Sequence, residues 1–247
     1  MEEEKKTVRA VERALDVLLC FTSESELSLT EIAGRIGLHK STVHRLLATL
    51  EDRGFVTRDS ATDKYRLGLS ILELSANLSH SDDPSAVLLT EMERLRDELS
   101  ETVSLYVRDR TERVRIQAVQ STQAIRRVAT VGARLPLFVG ASSKILLAFA
   151  EPSVRNSVFS DPAWPATLDQ QAFLKQLDEI VLAGYATSFE EREPGAAAVS
   201  APIFNRSGKL VAALSVSGPS NRLTPDRMHE YAPTIKEAAK MMGSMLG

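Results

Sequence analysis

One stretch of this sequence narrows the fold more than any other. Leu38 to Leu50 reads LHKSTVHRLLATL, without a single acidic side chain. Its apolar residues Val43, Leu46, Leu47 and Leu50 recur at helical spacing and mark one face. Lys40, Ser41, Thr42, His44, Arg45 and Thr49 are left to point elsewhere. The flanks are as telling. Ser28-Leu29-Thr30-Glu31 matches a capping box, in which the serine side chain accepts from the backbone and the glutamate reaches back. It predicts a second helix through Ile32, Ala33 and Ile36, broken at Gly37, before a third helix from Leu38 to Arg53 that Gly54 ends. Upstream, Val8, Val11, Leu15, Leu18 and Leu19 predict a first helix with a single apolar stripe. Downstream, Phe55–Arg58 and Lys64–Leu67 read as two strands joined by the polar turn Asp59–Asp63. Three helices and then a hairpin are a winged helix-turn-helix, over residues 28–68 and their lead-in.

The residue types on the third helix suit DNA. Hydroxyls and cations contact phosphates, and an arginine can donate two hydrogen bonds to the O6 and N7 of guanine. The first turn, Lys40–Thr42, would enter the major groove first, with the helix dipole favouring phosphate. His44 and Arg45 follow it, and Thr30 at the start of helix two joins the contact set. In the wing, Arg58, Lys64 and Arg66 are candidates for phosphate or minor groove, although Asp59 and Asp63 share the turn. A solvated basic face on an ordinary amphipathic helix would account for the charges alone. It leaves unexplained the capped helix, glycine turn, acid-free helix and hairpin in that order. A winged helix that binds protein instead remains open at this level.

Composition removes several function classes. The net charge of −3 argues against a bulk polyanion binder, though not against a DNA reader whose cations are concentrated in one place. The lone cysteine, Cys20, lies in the apolar run Val17–Phe21 and predicts a packing role and a reducing compartment. The start MEEEKK is not that of a signal peptide, and no apolar run is long enough to span a bilayer, so a soluble cytoplasmic protein without a membrane partner is expected. The histidines lack companions at ligand spacing, so no metal is expected, and no cofactor. GxxxxGK[ST], HExxH and GxSxG are absent, and Ala141 stands where an SxxK motif ending at Lys144 needs serine. Glu190, Glu191 and Glu193 have no evident acid or base partner and read as a solvated loop. No enzyme is expected.

Past a linking helix at 70–79, the segment Ser81-Asp82-Asp83-Pro84 predicts a boundary. The second half then mixes helices at about 84–100, 141–150 and 169–183 with strands Val103–Arg108, Val114–Val119, Tyr185–Phe189, Ala197–Phe204 and Leu210–Ser217. Asn205-Arg206-Ser207-Gly208 makes a hairpin turn, and a last helix begins near Thr224 with Pro225 in its first position. The fold class is α+β. The expected domains are a winged helix at 7–68, a linking helix and linker at 69–83, and an α+β domain around one antiparallel sheet at 84–247.

Taken together these residues resemble the IclR family of bacterial transcriptional regulators. The likeness runs through Val8–Asp16, Leu29–Ala33, Lys40–Leu47 and Tyr65–Gly68. It continues in Gly132–Leu137, Glu193-Pro194-Gly195 and Leu214–Pro219 with Arg222-Leu223-Thr224. The resemblance implies a homodimer, assembling further into a dimer of dimers. It also implies operator double-stranded DNA as partner, and a C-terminal domain similar to GAF and PAS sensors that binds a small organic acid. Family members commonly repress, and some activate, genes of catabolism.

Carried over position by position, the family's pocket falls on Leu135, Ala141, Ser142, Ser188, Ala198, Ser215 and Ser217. Backbone N–H groups at the start of helix 141–150 would favour a carboxylate, and Ser215 and Ser217, two apart on a strand, face the same side. Several positions depart from the family. Phe138 stands where histidine is common, Ser143 where glycine is, Ala198 for cysteine and Ser188 for aspartate. A pocket that loses a charge and gains a ring at Phe138 predicts a larger, less polar effector such as an aromatic acid. Packing of Phe138 in the core is the competing reading.

Overall fold

The computed structural model describes residues 7–76, 88–126, 128 and 130–246. Its contacts divide the chain into two units, Met1–His80 and Ser81–Gly247. The expected boundary at 81–84 and the last residues of the linking helix, 77–79, lie outside the described residues, as does the start of the helix expected from 84.

In the first unit α1 (Arg9–Leu19) leads through a single 3₁₀ turn (Cys20–Thr22) to β1 (Leu27–Ser28), α2 (Leu29–Ile36) and α3 (Lys40–Asp52). Next come β2 (Val56–Arg58), β3 (Lys64–Leu67) and α4 (Leu69–Ala76). The two-residue β1 was not expected. It pairs with β3, so the wing is a three-stranded antiparallel sheet in the order β1-β3-β2. The capping box is made: Ser28 Oγ accepts from Glu31 N at 3.3 Å, and Ser28 N donates to Glu31 Oε2 at 2.7 Å. Gly37 then turns the chain at φ +63°, a conformation open to glycine. Val17, Leu27, Ile32, Val43, Leu47 and Val56, all fully buried, form the core between the helices. The single stripe expected on α1 divides. Of its members Leu18 packs against this core, whereas Val8, Val11, Leu15 and Leu19 are 53–64% exposed, and the fully buried residue of α1 is Val17, outside the expected stripe.

Where α3 runs into α4 the backbones nearly touch. Gly68 N donates to Phe55 O at 2.8 Å and Ser70 N to Gly54 O at 3.1 Å. Ser70 Oγ adds a bond to Arg53 O at 3.0 Å. A Cβ on Gly68 would sit 2.1 Å from the Gly54 carbonyl oxygen, so only glycine fits.

The second unit holds α5 (Leu89–Leu99), β4 (Thr102–Asp109), β5 (Glu112–Val119), β6 (Arg134–Pro136), α6 (Ala141–Ala148) and α7 (Pro152–Phe159). It continues with α8 (Gln170–Ala183), β7 (Ala186–Phe189), β8 (Ala196–Phe204), β9 (Leu210–Pro219) and α9 (Pro225–Ser244). Six strands form one antiparallel sheet in the order β6-β5-β4-β9-β8-β7. Alternation along the strands supplies two apolar faces. Val103, Leu105, Val199, Leu214 and Val216 pack on α5 and α9, while Tyr106, Ala186 and Ala213 pack on α6 and α8. β6 and α7 were not expected.

One irregularity sets the chemistry of the second face. Leu105 opposes Gln117, but Tyr106 opposes Arg115, so Ile116 is an extra residue on β5. A one-residue bulge moves every following side chain to the other face. Arg115 and Arg113 thereby lie on the side of Tyr106, and Ile116 joins the apolar layer against α5 and α9.

Candidate functional sites

In the first unit the expected contact residues come together on α3 and the wing. Lys40, Ser41, His44 and Arg45 are exposed, Thr42 is half-buried, and Val43, Leu47 and Leu50 hold the opposite face in the core. Lys40, His44 and Arg45 make no ion pair among the described residues. The ends of the two helices differ. Side chains cap α2, whereas His39 at the start of α3 gives no side-chain cap, so the first N–H groups of α3 keep their capacity for an outside acceptor. Thr30, in the first turn of α2, is exposed.

A surface groove beside α3 is lined by Thr42, His44, Arg45 and Thr49 together with Arg13 of α1. Sequence reading missed Arg13, which the packing of α1 on α3 brings alongside. In the wing, Arg58 is tied to Asp63 through Nε at 2.7 Å, with its guanidinium over the Tyr65 ring, 5.7 Å from the centroid. Arg66 Nε donates to Thr57 Oγ1 at 3.2 Å, and Lys64 is half-buried. Cys20 is buried, its thiol pushed up by desolvation and donating to Asp16 O at 3.3 Å.

In the second unit a cavity of about 50 Å³ opens between the start of α6 and the sheet. Six of the eight expected residues line it: Ala141, Ser142, Ser188, Ala198, Ser215 and Ser217. Strand register explains their meeting. Ser188 opposes Ala198, which opposes Ser217, and one step along the strands Ser200 opposes Ser215, which opposes Ser104. The hydroxyls of Ser104 and Ser200 are buried without a hydrogen-bond partner. Leu135 and Phe138 do not line the cavity. Leu135 of β6 pairs with Arg113 of β5, and the Phe138 ring packs edge-on against Trp164 at 5.7 Å, within an aromatic cluster that includes Phe159 and Phe173. The packing reading of Phe138 fits this geometry.

Sequence reading missed the cations of this cavity: Arg113, Arg115 and Arg192 line it with Tyr106. Arg113 NH1 donates to Ser142 Oγ at 2.6 Å. Arg115 Nε donates to the Tyr106 hydroxyl at 2.9 Å and NH1 to Thr130 O at 3.2 Å. Burial pulls the Arg113 guanidinium down to about 10. Gly140 stands at φ +91°, and a Cβ there would meet both terminal nitrogens of Arg113 at 3.0 Å.

The acidic loop after β7 is also more than solvated. Lys144, 2% exposed, bonds Glu191 Oε1 at 2.6 Å, and Gly140 N donates to Glu191 Oε2 at 3.3 Å. Glu190 accepts from Gly195 N at 3.1 Å and from the Ser220 hydroxyl at 2.6 Å. Glu190 and Glu191 thus fasten the loop that carries Arg192 over the pocket.

Comparison with known proteins agrees with both units. Residues 10–60 match the IclR helix-turn-helix domain, and residues 78–243 match the bacterial transcriptional regulator IclR C-terminal domain. The chain is 31% identical to the HTH-type transcriptional regulator KipR of Bacillus subtilis, over 100% of this chain and 99% of that protein. It is also 31% identical to the HTH-type transcriptional repressor AllR of Escherichia coli, over 98% and 92%. An IclR homolog from Microbacterium hydrocarbonoxydans, solved in complex with 4-hydroxybenzoate, superposes with a TM-score of 0.77 at 28% identity, over 94% of this chain and 99% of that one. These proteins are regulators and not enzymes, and the chain belongs to the IclR family of bacterial transcriptional regulators.

Proposed function

We propose that the protein is a one-component switch that represses a catabolic operon in the cytoplasm. The winged helix holds operator DNA through Lys40, Ser41, Thr42, His44 and Arg45, with Thr30, Arg58, Lys64 and Arg66 on the phosphates. The second unit binds a small organic acid that changes the affinity for DNA. One observation carries this reading: a single chain presents cations to solvent on the acid-free stretch Lys40–Leu50 of α3 and shuts other cations into a serine-floored cavity. The name of AllR supports repression over activation, and the 4-hydroxybenzoate held by the Microbacterium relative supports an aromatic acid among the candidates. The exposed face of α1, Val8, Val11, Leu15 and Leu19, supports a homodimer, because apolar residues at this spacing gain by packing against a like helix. A dimer of dimers is the further assembly the family suggests, and domains at 7–68, 69–83 and 84–247 are the working division.

The test is a gel shift of the full-length protein on DNA flanking its own gene, with and without a panel of acids. A two-fold dimer should protect half-sites about 10 base pairs apart or a multiple of that. An acid that alters the shift must prefer one state of the protein over the other. Loss of the shift with acid, and transcription rising in a deletion strain, is the expected result. Transcription falling in that strain makes the protein an activator, and no shift on any flanking DNA favours a protein-binding winged helix.

A further inference from the structure

The positive charge around the cavity exceeds what the protein neutralises there. Lys144 is answered by Glu191 at 2.6 Å, and Arg192 by Glu193 at 3.3 Å. Arg113 and Arg115 make no ion pair among the described residues. Their polar partners are neutral: Ser142 Oγ for the first, the Tyr106 hydroxyl and Thr130 O for the second. Both are more than nine-tenths buried, at 4% and 5% exposure, and the Arg113 Nε has no hydrogen-bond partner. Both guanidiniums rest on one ring, 4.8 and 5.0 Å from the Tyr106 centroid. A ring face returns only part of the cost of taking a cation out of water, and the two like charges repel across it. A fold keeps such a pair where something else completes it.

We infer that the effector is a small dianion, its two negative charges set against Arg113 and Arg115. This deepens the acid-sensing reading above and rests on it. The lining suits a ligand with several oxygens, since the hydroxyl-bearing Ser142, Ser188, Ser215 and Ser217 all border the cavity. Two carboxylates or one phosphoryl group would supply the charge, because a guanidinium fork matches either.

Paired ligands that differ in charge test this on the full-length protein at neutral pH, in a buffer free of phosphate. The pairs are succinate with butyrate and terephthalate with benzoate, and glycerol phosphate with glycerol forms the phosphoryl arm. Calorimetric titration should show the dianion of a pair bound about tenfold tighter or better, a difference of about 1.4 kcal/mol. Whether the responding pair is carboxylate or phosphoryl tells which source is meant. Arg113→Met and Arg115→Met should each erase the preference while melting no lower than the parent without ligand. If either variant fails to fold, Arg113→Lys and Arg115→Lys should keep the preference at weaker affinity. Equal or tighter binding of the monoanions overturns the inference and leaves acid sensing intact, as does a preference that survives both methionine variants. Binding of no acid at all overturns both.

Discussion

The guanidinium of Arg45 stands in water on α3, whereas that of Arg113 is enclosed between α6 and the sheet, and the two units thus use the same side chain in opposite ways. An exposed cation costs the fold little and acts when a phosphate or a base edge arrives. A buried one must be desolvated before any partner is there, so the surrounding structure has to hold it. The difference teaches where changes of residue should register. In the first unit, loss of charge should be felt in binding and hardly in stability. In the second, charge and stability are tied together.

The largest expected effect comes from breaking a pair that the second unit already contains. Glu191→Ala leaves Lys144 enclosed and unpaired, and should lower stability by about 3 kcal/mol in chemical denaturation. That is the low end for a buried pair, because the Glu191 side chain stays 35% exposed. A variant as stable as the parent would mean that buried cations are not tied to the fold here, and the comparison would fail on that side.

On the other side, Arg45→Ala should weaken specific operator binding by about 1–3 kcal/mol if its contact is bidentate to guanine. Its melting curve should overlay the parent's. Loss of stability alongside binding would show that Arg45 is part of the packing.

The two helix starts sharpen the contrast within the first unit. Ser28→Ala removes a cap and should cost about 1 kcal/mol, without touching the uncapped start of α3. Glu31 adds a pH dependence of known sign. Hydrogen bonds from Ser28 hold its carboxyl below the ordinary value of 4.5. Because the folded value is the lower one, the contribution is complete above the ordinary carboxylate range and is lost as pH falls through the folded value. In Ser28→Ala the part of the acid sensitivity carried by the hydroxyl should go from the melting profile, while the larger part, carried by the backbone N–H of residue 28, should stay. The smallest effect is expected for Lys40→Ala, which should weaken binding to all DNA alike and reduce the slope of log affinity against log salt by about one. A slope equal to the parent's would take Lys40 off the phosphates.

Much of the first unit could be read in advance because its signals are local. A capping box, a glycine with positive φ and an acid-free helical stretch are each written within a few residues. β1 escaped, since a two-residue strand exists through its pairing with β3 more than thirty-five residues on. In the second unit the long elements were legible by period, and so was the serine set, whose spacing on β9 already put Ser215 and Ser217 on one face. The arginines were not. Arg113 and Arg115 alternate with Val114 and Ile116 as the polar side of any half-solvated strand would. What sends them inward is the bulge opposite Leu105 and Tyr106 together with α6 lying over that face, and neither is encoded within β5. Phe138 was ambiguous for a like reason, since its partner Trp164 is distant in sequence and sits in the same aromatic cluster only after α7 and α8 have packed.

The Gly54–Gly68 approach has a mechanical meaning. With backbone bonds on both sides of it and Ser70 fastened to Arg53, the end of α3 and the first turn of α4 form a welded joint. α4 is then a handle about 12 Å long, from its eight residues, fixed to the helix that would lie in the groove. Any force that tilts the handle tilts the reading head by the same angle. A longer residue at position 68 would loosen the joint and let the handle swing while the head stays where it is.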